Sequence, residues 1–322
     1  MQNTILITGG AGFIGSAVAE KLLDNGERVI IVDNINDSYD QQLKRDRLKN
    51  LEENSELNSL VIEEIDITDY QGMNKIFTNN KIHKVFHAAA ESDVRQSFIK
   101  PFSYEQNNLL GFLNILELMR HHNVKDLVFS SSSSVYGANS KTPFSEKDKT
   151  EKPISLYGAT KKSNELMAYT YHHLFGLNVT GLRFFSVYGP WSRPDMAMLK
   201  FALKMKKGEE IDIYNNGRMK RDFTYIDDIV QGVISALNNS YPFEIFNLAY
   251  GRSIQLINYI FELEKAMGIK AKKNFLPLQP GEIEEVSADI SKAQKMLNYI
   301  PQTPVEIGVE KFTEWFKGYY GK

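Results

Sequence analysis

The run Ile5–Thr8 passes without a break into Gly9, Gly10, Ala11, Gly12, Phe13, Ile14 and Gly15, and a helical pattern from Ala17 to Leu23 follows at once. A β-branched strand, a turn with glycines at 9, 12 and 15, and a helix make the opening of a βαβ unit. The three glycines permit the tight turn, let the backbone approach a pyrophosphate and let the helix pack on the strand. Phosphates then lie over the helix start at Phe13 and Ile14, where unpaired N–H groups and the helix dipole favour negative charge. A glycine triplet alone is a weak signal. Here a second strand, Val29–Val32, ends in Asp33, 18 residues after Gly15 and placed to accept hydrogen bonds from the adenosine ribose hydroxyls. A carboxylate at that point repels a 2′-phosphate, so the expected cofactor is NAD rather than NADP. Two further strand ends complete the expected cradle: Asp66 and Ile67 beside the adenine, and Ala88, Ala89 and Ala90, whose small side chains let the cofactor lie close. The bland alternative is a glycine turn with a surface aspartate.

Up to about residue 190 short β-branched runs alternate with longer helical stretches, the pattern of a doubly wound parallel sheet. The expected strands are Ile5–Thr8, Val29–Val32, Val61–Glu64, Val85–His87, Leu127–Phe129 and Thr180–Arg183. The expected helices include Ala17–Leu23, Asn108–Arg120 and Lys161–His173. After Gly189 the alternation breaks down among prolines and glycines. A length of 322 residues fits two domains. A Rossmann-type domain is expected over 1–189, joined by about 224–249, with a smaller, mixed α/β substrate domain from 190–223 and 250–322. The charged segment Asp40–Asn58 reads as a solvated surface insertion.

The composition, 42% apolar and 24% charged with a net charge of −2, is that of an ordinary globular protein. It gives no sign of a nucleic-acid or membrane partner, since no apolar run approaches the roughly 20 residues of a membrane span. The chain has no cysteine, which excludes disulfides, thiolate metal sites and thiol catalysis, and no metal is expected. No leader precedes the first strand, so a cytoplasmic location is expected.

Residues 155–161 read SLYGATK and put Tyr157 and Lys161 four apart on one helix face. A phenol with a pKa of about 10 is a poor base at neutral pH, but a neighbouring ammonium stabilises its phenolate. Lys161 supplies that charge. Taken alone, such a pair is also a common helical accident; beside a dinucleotide site it reads as catalytic. The serines 130–134 follow the strand Leu127–Phe129. They admit two readings, a polar loop or a hydroxyl at the carboxyl end of a parallel strand, where ligands bind in such sheets.

At these residues the chain resembles the extended short-chain dehydrogenase/reductase family over essentially its whole length, particularly the nucleotide-sugar epimerases. It is most similar to UDP-glucuronate 4-epimerases, through NDSYDQQLKRDRL, VRQSFIKP, SSSSVYGANSKTPFSE, RFFSVYGPWSRPDM and RDFTYIDDIV. The resemblance implies that Ser132 is the catalytic hydroxyl, Tyr157 the base and Lys161 its partner. With it the expected cofactor set becomes Gly9, Gly12, Phe13, Ile14, Gly15, Asp33, Asn34, Asp66, Ile67, Ala88, Ala89, Ala90, Asn108, Tyr157, Lys161 and Phe184. For the substrate, a UDP-sugar, it implies Arg95 and Ser97 at the sugar, Arg221 at the diphosphate, and Ile211–Tyr214 (with Ile211 and Tyr214) and Glu282 at the uridine. Related dehydratases carry an Asp-Glu pair, and UDP-glucuronate decarboxylases a Glu, where this chain has Ser133 and Ser134. Simple epimerisation is therefore favoured. Ser186 stands where Thr is usual and Ser192 where Gly is usual.

The implied chemistry is oxidation at carbon 4, the hydroxyl proton passing to Tyr157 and the hydride to the nicotinamide, then rotation of the 4-keto sugar and return of hydride to the opposite face and of the proton from Tyr157. With a glucuronate the intermediate is a β-keto acid, prone to lose carbon dioxide, so its carboxylate must be held; Arg193 and Ser186 are the candidates. The alternatives are a UDP-glucose or UDP-N-acetylglucosamine 4-epimerase, a UDP-glucuronate decarboxylase, a net dehydrogenase, or an NAD-sensing binding protein of the same fold. Leu109, Leu110, Phe112, Leu113, Ile115, Leu116, Leu118 and Met119 make one helix apolar nearly all round, from which a two-fold homodimer is expected.

Overall fold

The computed structural model describes residues 3–139, 141–278 and 283–321. The chain divides into two compact units, one of residues 1–139, 149–183 and 230–246, the other of residues 140–148, 184–229 and 247–322.

The first unit alternates strands and helices: β1 Thr4–Thr8, α1 Phe13–Asp24, β2 Arg28–Asp33, α2 Gln41–Asn54, β3 Leu60–Glu64, α3 Tyr70–Asn79 and β4 Lys84–His87. Two short helices, α4 Gln96–Ile99 and α5 Pro101–Tyr104, lead into α6 Gly111–His121, β5 Asp126–Ser132, α7 Leu156–Phe175 and β6 Asn178–Phe184. With Phe243–Leu248 these strands form a seven-stranded sheet in which β6, β5, β4, β1, β2 and β3 lie in that order. β1 runs parallel to β2 and β4, β2 to β3, and β4 to β5. This is the doubly wound Rossmann-type sheet expected from the alternation. Its order reverses between β1 and β4, which opens a crevice at their carboxyl ends. Strand residues Leu6, Ile30, Val85 and Phe129 share a buried core with Phe112, Ile115 and Met119 of α6 and with Met73 and Ile76 of α3. Helical cover of this kind is why the strands read as apolar runs rather than alternating ones.

One segment corrects the sequence reading. Asp40–Asn58 is not a solvated insertion: Asp40 caps α2 by accepting the Gln42 N–H at 2.9 Å, and the helix buries Leu43, Leu48 and Leu51. It also buries two cations. Lys44 donates to the Asn36 carbonyl at 2.8 Å, and Arg47 donates to the Ala11 carbonyl at 2.8 Å and the Tyr39 hydroxyl at 2.7 Å. Buried charges are tolerated when they are hydrogen-bonded, and here the glycine turn itself supplies an acceptor. The surplus of charge hid a narrow apolar stripe.

The second unit is a small mixed α/β assembly. Ser186–Tyr188 pairs in parallel with Phe223–Tyr225, and Glu210–Ile213 with Lys272–Phe275. Lys220–Arg221 lies between Ile254–Gln255 and Glu285–Val286. The C-terminal helix Val305–Tyr320 buries Val305, Val309, Phe312 and Phe316. Among the described residues no helix is long and apolar enough to cross a membrane.

Candidate active site

At the carboxyl end of β1 the chain turns through Gly9, whose φ of +71° lies in the left-handed region. A Cβ there would come within 2.6 Å of the Ala89 backbone nitrogen, so the turn lies directly against Ala88 and Ala89 after β4. A Cβ on Gly15 would meet the Gly9 carbonyl oxygen at 2.1 Å, which fixes how closely α1 approaches the turn. The helix starts at Phe13 with no side-chain cap and no acidic residue in its first turn, which leaves Ile14 and its neighbours beside uncapped N–H groups suited to an anion. Strand, turn and helix thus fit a dinucleotide's pyrophosphate.

Asp33 closes β2 beside this turn. Its carboxylate accepts the Ile35 N–H at 2.9 Å and the Ala11 N–H at 3.1 Å. Burial pushes its pKa above the ordinary value, opposed by those N–H groups and by the charges of Lys44 and Arg47. Asn34 donates to Asp66 at 2.6 Å, joining the ends of β2 and β3. Asp66 also accepts from the Thr68 N–H at 2.8 Å, and Asn114 of α6 holds the Ile67 carbonyl at 3.0 Å. Structure therefore brings Gly9 to Gly15, Asp33, Asn34, Asp66, Ile67 and Ala88–Ala90 together along one set of strand ends.

The catalytic candidates lie on β5 and α7 of the same unit. Ser155 caps α7 by accepting the Gly158 N–H at 3.0 Å, which starts the helix so that Tyr157 and Lys161 fall one turn apart. A Cβ on Gly158 would stand 2.6 Å from the Ser134 carbonyl oxygen, so the first turn of α7 packs on the Ser133–Tyr136 turn. Lys161 is buried, donates to the Ser130 carbonyl at 2.8 Å, and lies 3.3 Å from the Ser130 hydroxyl. Burial pushes its pKa down to about 7. Strand alternation puts Ser130 and Ser132 on one face of β5 and Ser131 on the other. Ser132 accepts the Ser134 N–H at 3.1 Å. The ring of Tyr157 is buried, with Tyr104 edge-on to it at 6.5 Å.

Asn108 lies in a π-helical turn, Glu105–Leu110, a form that recurs at functional sites. It accepts the Glu91 N–H at 2.8 Å, donates to the Glu91 carbonyl at 2.9 Å and donates to Thr160 at 3.0 Å, which ties the segment after β4 to α7. Arg95 is exposed at the start of α4, whereas Ser97 is buried and donates to the Val94 carbonyl at 2.6 Å.

In the second unit, Phe184 is buried and Ser186 pairs through its N–H with the Asp222 carbonyl at 3.1 Å. The guanidinium of Arg193 grips Asp195 with Nε at 3.2 Å and Nη2 at 2.7 Å. Ile211 is wholly buried, and Tyr214 opens a 3₁₀ turn. Arg221 donates to the Lys220 carbonyl at 2.8 Å. Its neighbour Asp222 accepts the N–H groups of Tyr250, Gly251 and Ala288, and burial pushes its carboxyl up to about 6. Glu282 lies outside the described residues.

Three residues escaped the sequence reading. Glu165 and Arg183 form a buried two-pronged pair at 2.8 and 2.9 Å, with the Ser131 hydroxyl on Glu165 at 2.7 Å. The available signals were an arginine inside an apolar strand and a carboxylate one turn after Lys161. His87 ends β4 with Nδ1 at 2.8 Å from the Thr8 hydroxyl; burial, then the Lys161 charge, push its pKa down to about 3 and keep the ring neutral.

The chain is 44% identical to a UDP-glucuronate 4-epimerase of Thermodesulfobacterium geofontis over 97% of its length and 95% of the relative's. It is 43% identical to UDP-glucuronate 4-epimerase 4 of Arabidopsis thaliana over 98% of its length and 76% of that protein's. The crystal structure of a UDP-glucuronic acid 4-epimerase from Bacillus cereus in complex with UDP-glucuronic acid and NAD superposes with a TM-score of 0.90 at 36% identity, covering 98% of this chain and 100% of that one. The sequence model of one family matches residues 5–249, and the chain belongs to it: the NAD dependent epimerase/dehydratase family.

Proposed function

We propose that the chain interconverts UDP-glucuronate and UDP-galacturonate by epimerisation at carbon 4. The observation that carries the reading is the buried Lys161, fixed on the Ser130 carbonyl at 2.8 Å and one turn from Tyr157 on a helix seated against the serine turn. NAD, when bound, supplies reversible two-electron oxidation at the sugar's carbon 4. Gly9, Gly12 and Gly15 hold its pyrophosphate, Asp33 its ribose, and Asn34, Asp66, Ile67 and Ala88–Ala90 the adjoining groups. Tyr157 accepts the proton of the 4-hydroxyl and later returns it, Lys161 stabilises the phenolate, and Ser132 shares the proton. The small hydroxyls of Ser133 and Ser134 offer no carboxylate for elimination at carbon 5.

Glucuronate is favoured over a neutral sugar by the similarity to UDP-glucuronate 4-epimerases; Arg193 offers the two-pronged fork for its carboxylate, and must give up Asp195 to take it. Arg193→Ala should reduce kcat/KM for UDP-glucuronate by about 1.5–3 kcal/mol, roughly ten- to a hundredfold. It should also release more UDP-pentose, because the β-keto acid is then held less firmly. Offering UDP-glucuronate, UDP-glucose and UDP-N-acetylglucosamine separately, with products resolved by NMR, tests the substrate. Conversion of the neutral sugars alone sinks the glucuronate reading, and UDP-pentose as the main product points to a decarboxylase. Conversion of none of the three sugars by protein that still carries NAD would leave a binding protein.

The working unit is a two-fold dimer. On α6, Phe112, Ile115, Leu116 and Met119 are buried but Leu113 stands exposed, as does Leu110 at the end of the π-helical turn before it, so this face is not closed within one chain. On α7, beside it, Leu166 and Tyr169 are also exposed. Two apolar helices side by side form a self-complementary patch. Light scattering at micromolar concentration should give twice the chain mass of 36.8 kDa, and a monomer rules the dimer out.

A further inference from the structure

We propose that Trp191 is a positioning residue: clasped by the aromatic face of the C-terminal helix, it fixes where Arg193 stands and thereby sets selectivity for a carboxylate at carbon 6. The inference rests on the reading that Arg193 meets that carboxylate.

The loop carrying Arg193 is two consecutive turns. The first closes through the Ser192 N–H on the Gly189 carbonyl at 3.3 Å, the second through the Met196 N–H on the Arg193 carbonyl at 3.1 Å. Pro190 holds the second position of the first turn at negative φ, and Trp191 holds the third at φ +62°. That combination is a type II turn, whose third position belongs to Gly or Asn. A bulky residue there is strained and persists only where its surroundings over-determine it. They do so here. The Trp191 ring lies 5.4 Å from Trp315 and 5.1 Å from Tyr319, which stack on each other at 5.5 Å on successive turns of the helix Val305–Tyr320. Ser192, next along, is fully buried, so the backbone between the ring and Arg193 has no solvent to move into. Glycine would satisfy the turn without strain. What tryptophan adds is an anchor two residues from a guanidinium that must meet a planar carboxylate at the right angle, and misplacement of such a clamp by about 1 Å is costly.

Trp191→Gly separates the anchor from the turn, since it relieves the backbone while removing the ring. We expect KM for UDP-glucuronate to rise about tenfold, the value of a weakened charge-assisted bond, with bound NAD retained. Trp191→Phe should restore KM to within about twofold, because an aromatic ring still fills the clasp. Tyr319→Leu, which removes one wall without touching the loop, should shift KM the same way and stands in if the glycine variant does not fold. In an Arg193→Ala background Trp191→Gly should add nothing, because both changes act through one guanidinium. An unchanged KM in both Trp191→Gly and Tyr319→Leu, or an equal rise with and without Arg193, overturns the clasp while leaving the Arg193 reading in place. If Arg193→Ala itself leaves KM for UDP-glucuronate unchanged, that reading falls and the clasp falls with it.

Discussion

Tyr157→Phe should lower turnover of UDP-glucuronate by about a hundredfold or more, the contribution of a positioned general base, while the protein keeps its NAD. The substitution removes one oxygen and leaves the ring, so the buried packing against Tyr104 persists. Lys161 remains fixed on the Ser130 carbonyl, and the helix still starts at its Ser155 cap, so loss of activity cannot be traced to loss of fold. The decisive pair of measurements is turnover by NMR and cofactor content by release and chromatography. Near-full activity removes Tyr157 from the mechanism; loss of NAD together with activity shifts its role from proton transfer to cofactor retention.

The largest expected effect on stability comes from a residue with no place in the chemistry. Arg183→Met strands the Glu165 carboxylate at a site where both partners are almost wholly buried. Burial alone pushes Glu165 up, and the Arg183 fork, with Lys162 and Ser131, more than reverses this so that the carboxyl sits below its ordinary range. Removing one member of a buried pair costs roughly 3–5 kcal/mol. Lys162, at 3.1 Å, compensates in part, so the lower end, about 3 kcal/mol, is expected. Arg183→Met with Glu165→Leu should recover most of the loss, because replacing both partners by apolar groups of similar volume is close to neutral. Urea denaturation of the three proteins tests the claim; a single variant within about 1 kcal/mol of the parent would show that solvent reaches the pair. Since Glu165 lies one turn beyond Lys161, the single variant should also lower turnover before it unfolds.

The parts of the fold that were legible are those written locally. The glycine turn, the strand ends at Asp33 and Ala88–Ala90, and the spacing of Tyr157 and Lys161 depend on neighbours in sequence, and six of the seven strands announce themselves as short apolar runs; the seventh, Phe243–Leu248, does not stand out. What escaped depends on distant partners. Lys44 and Arg47 look like solvated charge until the Asn36 and Ala11 carbonyls are placed beside them. β5 reads as ending at Phe129, yet it continues to Ser132 because Lys161 and Glu165 satisfy the serine hydroxyls. The π-helical turn around Asn108 leaves no mark in an otherwise regular helical pattern, and Arg183 looked like the end of a strand rather than half of an ion pair.

The clamping of Ala11 has a kinetic meaning. Its N–H is taken by Asp33 at 3.1 Å and its carbonyl by Arg47 at 2.8 Å, so the middle of the glycine turn is ordered by the protein itself. A cradle ordered in advance spares the incoming ligand the entropy of ordering it, and that saving appears chiefly as slow departure. A reaction that returns its cofactor unchanged has no need to let it go. Long residence would then free the enzyme's rate from the level of dinucleotide in its surroundings.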